Sequence, residues 1–456
     1  MQGQYTIDPV FLLGFIMPKL SILFSSLAHQ LLDDLAARNC VAITGLSNSG
    51  KSTLMRSLAT PEAEKVFWQS GDRHGFLIYV DCNRAVSISA QAFYEVVLRT
   101  VLERLADKVS QDLVTDLRKY YESVTEAESA FAASLSFNLA LSDLCEQLEG
   151  NLCLLLDEFD EIYASLDERA LLNLRALRDR FSDRLAYATA TLRSLPELRG
   201  RPFEGEFAEL FSRFTYNMPL LTDDESRQLL KQLQLESLTG KRQSMCVRLA
   251  GGHPGILIAT AQVLTAFSPE TEEDTAWLVS REPQPRAECL KIWDQLTEDE
   301  QASLTALAVD PQAGLPVQQI RHLEGLSLIL EGQIFSPVFA DFLARKARGP
   351  EIESQGVYLD PDSGDVWVDG IRIPVLTDLE FRLLALLYER RDKLTDKYRI
   401  VTAVWGEDYL GEVDDARVEK LVSRLRSKIE TDPAEPRYLV TQRGRGYKLL
   451  SVPRLQ

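Results

Sequence analysis

The sequence predicts an α/β protein, in which a parallel β-sheet is followed by a helical lid and then by two smaller domains. Three observations support this fold class. Short apolar runs that read as buried strands alternate with longer segments of helical periodicity, which is the order of a parallel sheet. The first of these strands, at residues 41–44, leads through a glycine-bounded loop directly into a helical pattern. Near the C-terminus, a helical segment combines an apolar stripe with a basic one.

Composition and charge limit the class of protein. The chain has 456 residues, of which 45% are hydrophobic and 26% charged, enough for roughly three domains at about 150 residues each. A net charge of −18 argues against a protein that coats nucleic acid without specificity. From Gly356 onward, however, 17 Lys and Arg residues nearly balance 18 Asp and Glu residues, so this part can present a basic face.

The cysteines and the apolar N-terminal segment indicate in which cellular compartment the protein is expected. Six cysteines are scattered without a Cys-x-x-Cys pair, which predicts a cytoplasmic protein without a disulfide framework or a zinc site. The apolar run at residues 10–17 is interrupted by Pro18 and Lys19, and it is shorter than the roughly 18–20 residues of a membrane span. We therefore expect no membrane attachment. Instead, we expect residues 1–38 to form an N-terminal helical segment packed against the next domain.

The loop after the first strand has the composition of a phosphate-binding loop. Gly45 and Gly50 allow a tight path and a close backbone approach. Backbone N–H groups and the positive end of the helix dipole would converge there on phosphates, with Lys51 on the outer phosphates and the Ser52 hydroxyl on Mg²⁺. The order strand, loop, Lys-Ser and helix is that of a P-loop. The predicted nucleotide-binding residues of this loop are Gly45, Ser47, Asn48, Ser49, Gly50, Lys51, Ser52 and Thr53.

A second acidic signature ends the third predicted strand, at residues 152–158. A continuous apolar run finishes there in Asp157 and Glu158. Downstream of a P-loop, the pattern predicts that Asp157 holds the Mg²⁺ shell through water. Glu158 would be the base that polarises the attacking water. The alternative interpretation is a surface turn that carries two acids.

Three residues further along the chain are weaker catalytic candidates. Thr189 or Thr191, in the fourth strand, would lie near the γ-phosphate as a sensor if the sheet is parallel, although threonine is also a common buried strand residue. Arg213, before a short strand at residues 215–220, would neutralise transition-state charge within this chain or in a neighbouring subunit. Otherwise, Arg213 is a surface charge.

These pieces, in this order, resemble a STAND/AAA+ P-loop ATPase of the archaeal-ATPase-like branch, over about residues 39–346. The resemblance implies ATP and Mg²⁺ as cofactors, and it places Arg213 at the position of the arginine finger. The break Gly252-His253-Pro254 is similar to the STAND lid motif, in which the proline lines the adenine site and a polar neighbour can reach phosphate. Without that role, His253 is an ordinary loop histidine.

The resemblance also implies a division into domains. The expected parts are an ATPase domain at residues 39–220, a helical lid at 221–286, a structural winged helix at 287–347 and a linker at 348–355. No sensor arginine is evident in the lid, so ATP binding is expected while the rate of hydrolysis stays open. The family implies a nucleotide-driven switch that forms homo-oligomers when ATP is bound.

Four motifs near the C-terminus agree in order with a second family. They lie at residues 377–387, 404–406, 423–429 and 441–447, after two short strand patterns at 357–360 and 366–370. Over about residues 356–452 the chain resembles a winged helix-turn-helix domain of the OmpR/PhoB type, and we expect the domain to occupy residues 356–456. The resemblance implies double-stranded DNA as a partner. The ATPase occupies the place that a receiver domain usually holds.

The helix that begins at Asp415 supports DNA binding from its own residues. Lys420, Arg424 and Lys428 recur every four residues beside an apolar stripe, so the helix can be buried on one side and enter a major groove with the other. From Arg417 onward, the chain contains 10 Lys and Arg residues but only 4 Asp and Glu residues. The alternative is a solvated basic face.

A glycine-rich hairpin tip at residues 443–446 can place an arginine against phosphates or in the minor groove. By position in the family motif, Arg424 is the best candidate to read bases. The predicted DNA-binding residues are Arg417, Lys420, Arg424, Arg426, Lys428, Thr441, Arg443 and Arg445.

The main functional hypothesis is a cytoplasmic transcription regulator in which ATP controls the C-terminal DNA-binding domain. A second hypothesis is the ATPase of a mobile-element or defence system, whose DNA binding recruits a nuclease or transposase as protein partner. A third is a signalling scaffold without DNA binding, which predicts no salt-dependent affinity for DNA. The DNA target, the input signal and the oligomeric state do not follow from the sequence.

Overall fold

The computed structural model describes residues 23–71, 74–200, 205–234, 238, 240–266, 272–348, 356–360, 366–374, 376–405, 415–442 and 444–451. It divides into two compact units, Met1–Phe342 and Leu343–Gln456. Most of the predicted N-terminal segment, most of the linker, Gly406 and Arg443 lie outside the described residues. The predicted boundaries of the smaller domains remain predictions.

The first unit is built on a five-stranded parallel sheet, which confirms the predicted fold class. Its strands have the order β2-β3-β4-β1-β5. Buried apolar residues dominate β1, β3 and β4, as is usual for strands that are covered on both faces. The strands are β1 (Val41–Thr44), β2 (Gly75–Asp81), β3 (Asn151–Asp157), β4 (Leu185–Thr191) and β5 (Thr215–Asn217). The last of them is shorter than predicted, because its partner strand β1 ends at Thr44, opposite Asn217.

Helices connect these strands and cover the sheet. The long helical stretch expected between β2 and β3 forms three helices, and serine side chains cap each of them, as Ser89, Ser110 and Ser129 accept from N–H groups of the first turn. The helices are α1 (Ser25–Ala36), α2 (Lys51–Leu58), α3 (Pro61–Ser70), α4 (Ala90–Leu105), α5 (Gln111–Thr125), α6 (Ala130–Gln147), α7 (Asp160–Ser165), α8 (Glu168–Arg180), α9 (Leu195–Leu198) and α10 (Glu206–Glu209), with a 3-10 turn at Cys82–Arg84.

Four helices follow the sheet at the predicted lid, and a capping box of Thr222 and Glu225 begins the first. Gly251 and Gly252 end the second with positive φ angles of 59° and 81°. A side chain at Gly251 would overlap the main-chain carbonyl of Phe335, so only glycine allows this close approach. These helices are α11 (Asp223–Gln232), α12 (Gly240–Ala250), α13 (Pro254–Ala266) and α14 (Glu272–Arg281).

The next segment contains three helices, a two-stranded antiparallel ladder and a final helix. The predicted first winged helix falls in this segment and stays a prediction. A second capping box, Thr297 with Glu300, begins its second helix. The elements are α15 (Pro283–Asp294), α16 (Glu298–Val309), α17 (Val317–Gly325), β6 (Ile329–Leu330), β7 (Gln333–Ile334) and α18 (Pro337–Arg348).

The second unit is a small α+β domain with its own core, formed by apolar residues of three helices and the strands. A three-stranded antiparallel sheet precedes the helices, and an antiparallel hairpin follows them. The elements are β8 (Val357–Leu359), β9 (Val366–Val368), β10 (Ile371–Arg372), α19 (Asp378–Glu389), α20 (Lys397–Trp405), α21 (Asp415–Ile429), β11 (Leu439–Gln442) and β12 (Gly446–Leu449).

Within the described ranges, every helix is too short or too polar to cross a lipid bilayer. All six cysteine side chains are buried, as is typical of thiols that serve as small apolar residues.

Candidate functional site

The loop between β1 and α2 lies at the carboxyl edge of the sheet. Because β1 is flanked by β4 and β5 in parallel, the ends of all three strands meet there. The Gly45 N–H donates to the Thr191 carbonyl at 3.2 Å, which joins the start of the loop to the end of β4. Gly50 has a φ of 102° directly before the first residue of α2, so the loop can turn sharply into the helix.

Lys51 is folded back into this loop. Its side chain is only 8% exposed, and Nζ donates to the carbonyls of Gly45 at 2.5 Å and Leu46 at 3.3 Å. Burial lowers the pKa of Lys51, while the nearby carboxylates of Asp160 and Glu158 act in the opposite direction. The buried ammonium group is therefore satisfied by the loop itself.

An open cavity of about 430 Å³ lies beside the loop. It brings together six of the eight predicted loop residues and Glu158, while the other two, Gly45 and Ser49, line a separate small pocket. Residues that the sequence did not indicate also line the cavity, because they come from distant segments. Its polar lining is Ser47, Asn48, Lys51, Ser52, Thr53, Asn83, Glu158, Asp160, Glu161 and Gln295, together with Gly50.

Asp157 and Glu158 at the end of β3 lie in different environments. Asp157 is fully buried, and its Oδ2 accepts from the Tyr79 hydroxyl at 2.7 Å. Among the described residues, its Oδ1 has no hydrogen-bond partner. Burial raises the pKa of Asp157, and hydroxyl groups of Tyr79 and Ser52 partly offset this rise. Glu158 adopts a positive φ of 52° and accepts from Ser52 Oγ at 3.3 Å.

Asp160 is a third acid at this site, and it was missed in the sequence. It begins α7, two residues beyond Glu158, and its Oδ1 accepts from the Leu192 N–H at 2.7 Å. Burial raises the pKa of Asp160, whereas the Lys51 charge lowers it. The close spacing of Asp157, Glu158 and Asp160 was the available signal, but only the fold shows that all three approach Lys51.

The predicted sensor residues differ in position. Thr191 ends β4 beside Thr44 and donates from Oγ1 to the Arg193 carbonyl at 2.7 Å. Thr189 lies two residues earlier; both threonines are fully buried, and neither lines the cavity. Arg213 is exposed, and its guanidinium lies 6.0 Å from the centroid of the Phe214 ring. It does not line the cavity of its own chain, so its contribution to a neighbouring subunit stays a prediction.

His253 and Pro254 lie behind the phosphate-binding loop. They line a closed, mainly apolar pocket of about 20 Å³ together with Gly45, Leu46 and Met218. His253 Nδ1 accepts from the Ile256 N–H at 3.3 Å, which leaves Nε2 as the N–H donor of a neutral ring. Burial lowers the pKa of His253 to about 4, so the ring is uncharged near neutral pH. Nε2 is buried without a hydrogen-bond partner among the described residues.

Phe24 packs against the same loop from the N-terminal side. The ring is almost fully buried, and a side chain at Gly50 would overlap it. Phe24 also has a positive φ of 57°, directly before α1. The sequence predicted that this segment packs against the core, but it did not indicate the contact with the phosphate-binding loop.

Two residues of the α15 segment cover the phosphate-binding loop. The Ser47 N–H donates to Gln295 Oε1 at 2.8 Å, and Gln295 Nε2 donates to the Ser47 hydroxyl. Asn48 Nδ2 donates to Glu288 Oε2 at 2.6 Å. One N–H group of the loop is thus bonded to an amide oxygen, and the Asn48 side chain is bonded to a carboxylate.

A buried ion pair fastens α16 to the end of β4. Arg193 donates to both carboxylate oxygens of Glu300, at 2.8 and 2.7 Å, and to the Gln295 carbonyl at 2.8 Å. His322 Nε2 lies 2.7 Å from the same carboxylate. Burial alone would raise the pKa of Glu300, but the hydrogen bonds from Arg193 and His322 lower it below its ordinary value. No local sequence signal indicates this pair, since its partners are 107 residues apart.

In the second unit, α21 is buried along Val418, Leu421, Leu425 and their neighbours. Arg417, Lys420 and Arg424 are exposed on the opposite side, as the helical spacing predicted. Thr441 and Arg445 are exposed on the following hairpin. DNA contact by these residues stays a prediction.

Arg426 and Lys428 are turned toward their own domain. Arg426 donates from Nε and Nη2 to the Leu439 carbonyl at 2.9 and 2.6 Å, and to Thr441 Oγ1 at 2.8 Å. Lys428 Nζ lies 2.8 Å from the buried carboxylate of Glu380 in α19. Lys428 is therefore part of the packing between α19 and α21, a role that the four-residue spacing did not reveal.

Comparison with known proteins identifies two regions. Residues 23–188 match the family described as AAA ATPase domain, and residues 374–449 match the family described as transcriptional regulatory protein, C terminal. The sensory transduction protein RegX3 of Mycobacterium bovis is 43% identical over 98 residues, covering 22% of this chain and 42% of that protein. RegX3 of Mycobacterium leprae is 42% identical over 100 residues, covering 22% and 49%. The chain thus spans less than half the length of these relatives.

Solved structures resemble parts of the chain more loosely. The Walker-type ATPase PABY2304 of Pyrococcus abyssi has 13% identity and a TM-score of 0.44, covering 72% of this chain and 97% of that one. The DNA-binding domain of Klebsiella pneumoniae RstA, solved with the RstA box, has 25% identity and a TM-score of 0.20, covering 22% and 96%. At these TM-scores, the structural similarity says nothing about the activity of this chain. By its two family matches, the chain is an AAA ATPase domain joined to a C-terminal DNA-binding domain of the OmpR/PhoB type.

Proposed function

We propose that this protein is a transcription regulator in which ATP binding controls the C-terminal DNA-binding domain. The observation that supports the proposal is the contact of the α15 segment with the phosphate-binding loop, where Gln295 accepts from the Ser47 N–H and Glu288 from the Asn48 side chain. A nucleotide that uses the Ser47 N–H has to displace Gln295. Its binding energy would therefore be coupled to the position of α15, which is the requirement for a ligand-driven switch.

The residues present fit a magnesium nucleotide. Loop N–H groups, the N-terminus of α2 and Lys51 supply donors for phosphate oxygens. Ser52 Oγ and the unpartnered Asp157 Oδ1 suit a hydrated magnesium ion, which would neutralise phosphate charge. Glu158 would accept the proton of the attacking water, as the base of hydrolysis. His253 Nε2 and Pro254 are proposed to meet the nucleotide on the lid side, and Thr191 to sense its outer phosphate.

The switch would act through the segment that links the two units in the chain. In this structure, Gln295 accepts a hydrogen bond from the Ser47 N–H of the loop, and Arg193 forms an ion pair with Glu300 in α16. Phosphate at the Ser47 N–H would release Gln295 and repel the Glu288 carboxylate. We propose that this displacement changes how the C-terminal domain is displayed or dimerised. The STAND-type lid, an ATP-dependent homo-oligomer using Arg213, and a cytoplasmic location belong to the same proposal.

A DNA selection tests the function directly. The full chain is incubated with a random double-stranded DNA library in the presence of ATP with Mg²⁺, ADP with Mg²⁺, or no nucleotide, and bound sequences are read. We expect one enriched motif whose recovery depends on the nucleotide. Enrichment that is equal in all three conditions would contradict nucleotide control. Absence of any salt-dependent DNA binding would instead favour a scaffold, and pull-down of a nuclease or transposase would favour a mobile-element or defence ATPase.

A further inference from the structure

The phenol of Tyr79 lies between the helix of the phosphate-binding loop and the acid that ends β3. Its hydroxyl donates to Asp157 Oδ2 at 2.7 Å and accepts from Arg56 Nε at 3.1 Å. Arg56 belongs to α2, so a single hydrogen-bonded chain joins α2, β2 and β3. In the sheet Tyr79 pairs with Leu155, and its side chain therefore reaches Asp157 diagonally, two residues along the neighbouring strand.

The direction of these bonds follows from the groups involved. A guanidinium group only donates hydrogen bonds, so the Tyr79 oxygen must accept from Arg56. Its single proton is then left for the Asp157 carboxylate. With Oδ2 held in this way, the other oxygen, Oδ1, remains buried and without a hydrogen-bond partner among the described residues. A buried carboxylate oxygen without a partner costs free energy unless a ligand satisfies it.

We propose that Tyr79 is a positioning residue for the metal-binding carboxylate, which holds Oδ2 of Asp157 and so reserves Oδ1 for the water shell of Mg²⁺. The inference rests on the proposed nucleotide binding and adds a residue to it. Rotation about the last side-chain bond of aspartate is soft, so an unrestrained carboxylate would sample orientations in which neither oxygen is well placed. Tyr79 removes that freedom, and Arg56 in turn fixes the phenol.

The Tyr79→Phe substitution tests this role in the full chain. A fluorescent ATP analogue is titrated with Mg²⁺ and, separately, with EDTA. We expect the affinity with Mg²⁺ to fall about tenfold, since a hydrogen bond to a charged group is lost. The affinity in EDTA should change less than about twofold, because the loop and Lys51 are untouched. Arg56→Met should give a smaller loss in the same direction, and its exposed position makes it a second variant that folds.

Tyr120→Phe is the matched control, because Tyr120 donates to Asp143 at 2.7 Å in another part of the domain. It should leave both affinities unchanged. Equal losses of nucleotide affinity with Mg²⁺ and with EDTA would overturn the positioning role. An unchanged affinity with Mg²⁺ in both Tyr79→Phe and Arg56→Met would overturn it too. Neither result would affect the proposed function. If the unmodified protein shows no affinity for the nucleotide under either condition, the proposed function and this inference both fall.

Discussion

The proposed nucleotide site and the proposed DNA-contacting helix α21 differ in how their charged residues are solvated. Around the phosphate-binding loop, Lys51, Asp157 and Glu300 are almost fully buried. On α21, Arg417, Lys420 and Arg424 are exposed. A buried charge needs an ion pair or hydrogen bonds inside the protein, because removing it from water costs free energy. An exposed charge is solvated by water and contributes little to the stability of the fold. The charges of the first region are therefore bonded within the chain, whereas those of the second are exposed to solvent. Substitutions should accordingly have large effects in the first region and smaller, salt-dependent effects in the second.

The largest effect is expected for Glu300→Ala, which leaves Arg193 buried without its carboxylate. We expect the free energy of unfolding to fall by about 3–5 kcal/mol, the usual cost of removing one partner of a buried ion pair. Urea unfolding of the full chain measures this loss. The matched control is Glu103→Ala, since Glu103 forms a surface pair with Arg84 at 3.3 Å and should contribute less than about 1 kcal/mol. Equal losses in the free energy of unfolding would contradict the proposed difference between buried and exposed charges.

The same pair predicts a pH dependence. The pKa of Glu300 is lowered in the folded protein, so the carboxylate stabilises the fold above its ordinary pKa of about 4.3. This stabilisation is lost as the pH falls through the lower folded value. The difference in stability between the unmodified protein and Glu300→Ala should therefore shrink as the pH falls below about 4, where the carboxylate becomes protonated. Unfolding midpoints measured across this acidic range check this, and a difference that keeps growing there would contradict it.

Lys51→Ala should nearly abolish nucleotide binding. Loss of a buried charged donor from a phosphate site costs about 2–5 kcal/mol, which corresponds to a decrease in affinity of roughly 30-fold or more. Titration with a fluorescent ATP analogue measures the change. Lys65→Ala is the control, because Lys65 is exposed on α3. Unchanged affinity in Lys51→Ala would remove the loop from the nucleotide site.

Arg424→Ala should weaken specific DNA binding by about 1–3 kcal/mol while nucleotide binding stays unchanged. The expected cause is the loss of a base contact from the exposed side of α21. Affinity is measured on the selected DNA motif and on a scrambled duplex. Arg382→Ala, which removes an exposed arginine from α19, should have little effect on either. An equal loss on both duplexes would make Arg424 a backbone contact.

Gln295→Ala should raise nucleotide affinity by about 1 kcal/mol, or roughly fivefold, because it frees the Ser47 N–H. This prediction tests whether the buried site is restrained by its own chain. Stopped-flow binding should show a faster association rate. Gln301→Ala is a control, since Gln301 donates to the Trp293 carbonyl at 3.0 Å and does not touch the loop. A lower affinity in Gln295→Ala would mean that the glutamine supports the nucleotide.

The smallest effect is expected for Lys420→Ala. An exposed lysine that contacts phosphate should change the slope of log affinity against log salt by about 1, with little change in sequence preference. DNA affinity measured at several salt concentrations provides the slope. Lys119→Ala, on α5, should leave it unchanged.

Much of the fold was predictable from local signals in the sequence. The strands, the glycine-bounded loop and the Thr222 and Thr297 capping boxes were predictable, since each depends on residues within a few positions of one another. Contacts between residues that are distant in the chain were not predictable. Gln295 and Ser47 are 248 residues apart, and Lys428 lies 48 residues from Glu380. No periodicity or motif relates such pairs.

The sequence by itself determined which groups this protein can use: a loop able to bind phosphate, acids at a strand end and a basic helix. Hydrophobic periodicity and motif spacing are properties of short segments, so they could be read without a structure. Only the tertiary structure decided which of those charges are buried and paired. It placed Gln295 on the loop, Tyr79 beside Asp157 and Lys428 against Glu380. The physical reason is that solvation and pairing depend on what the folded chain brings near each group, and chain order does not specify that.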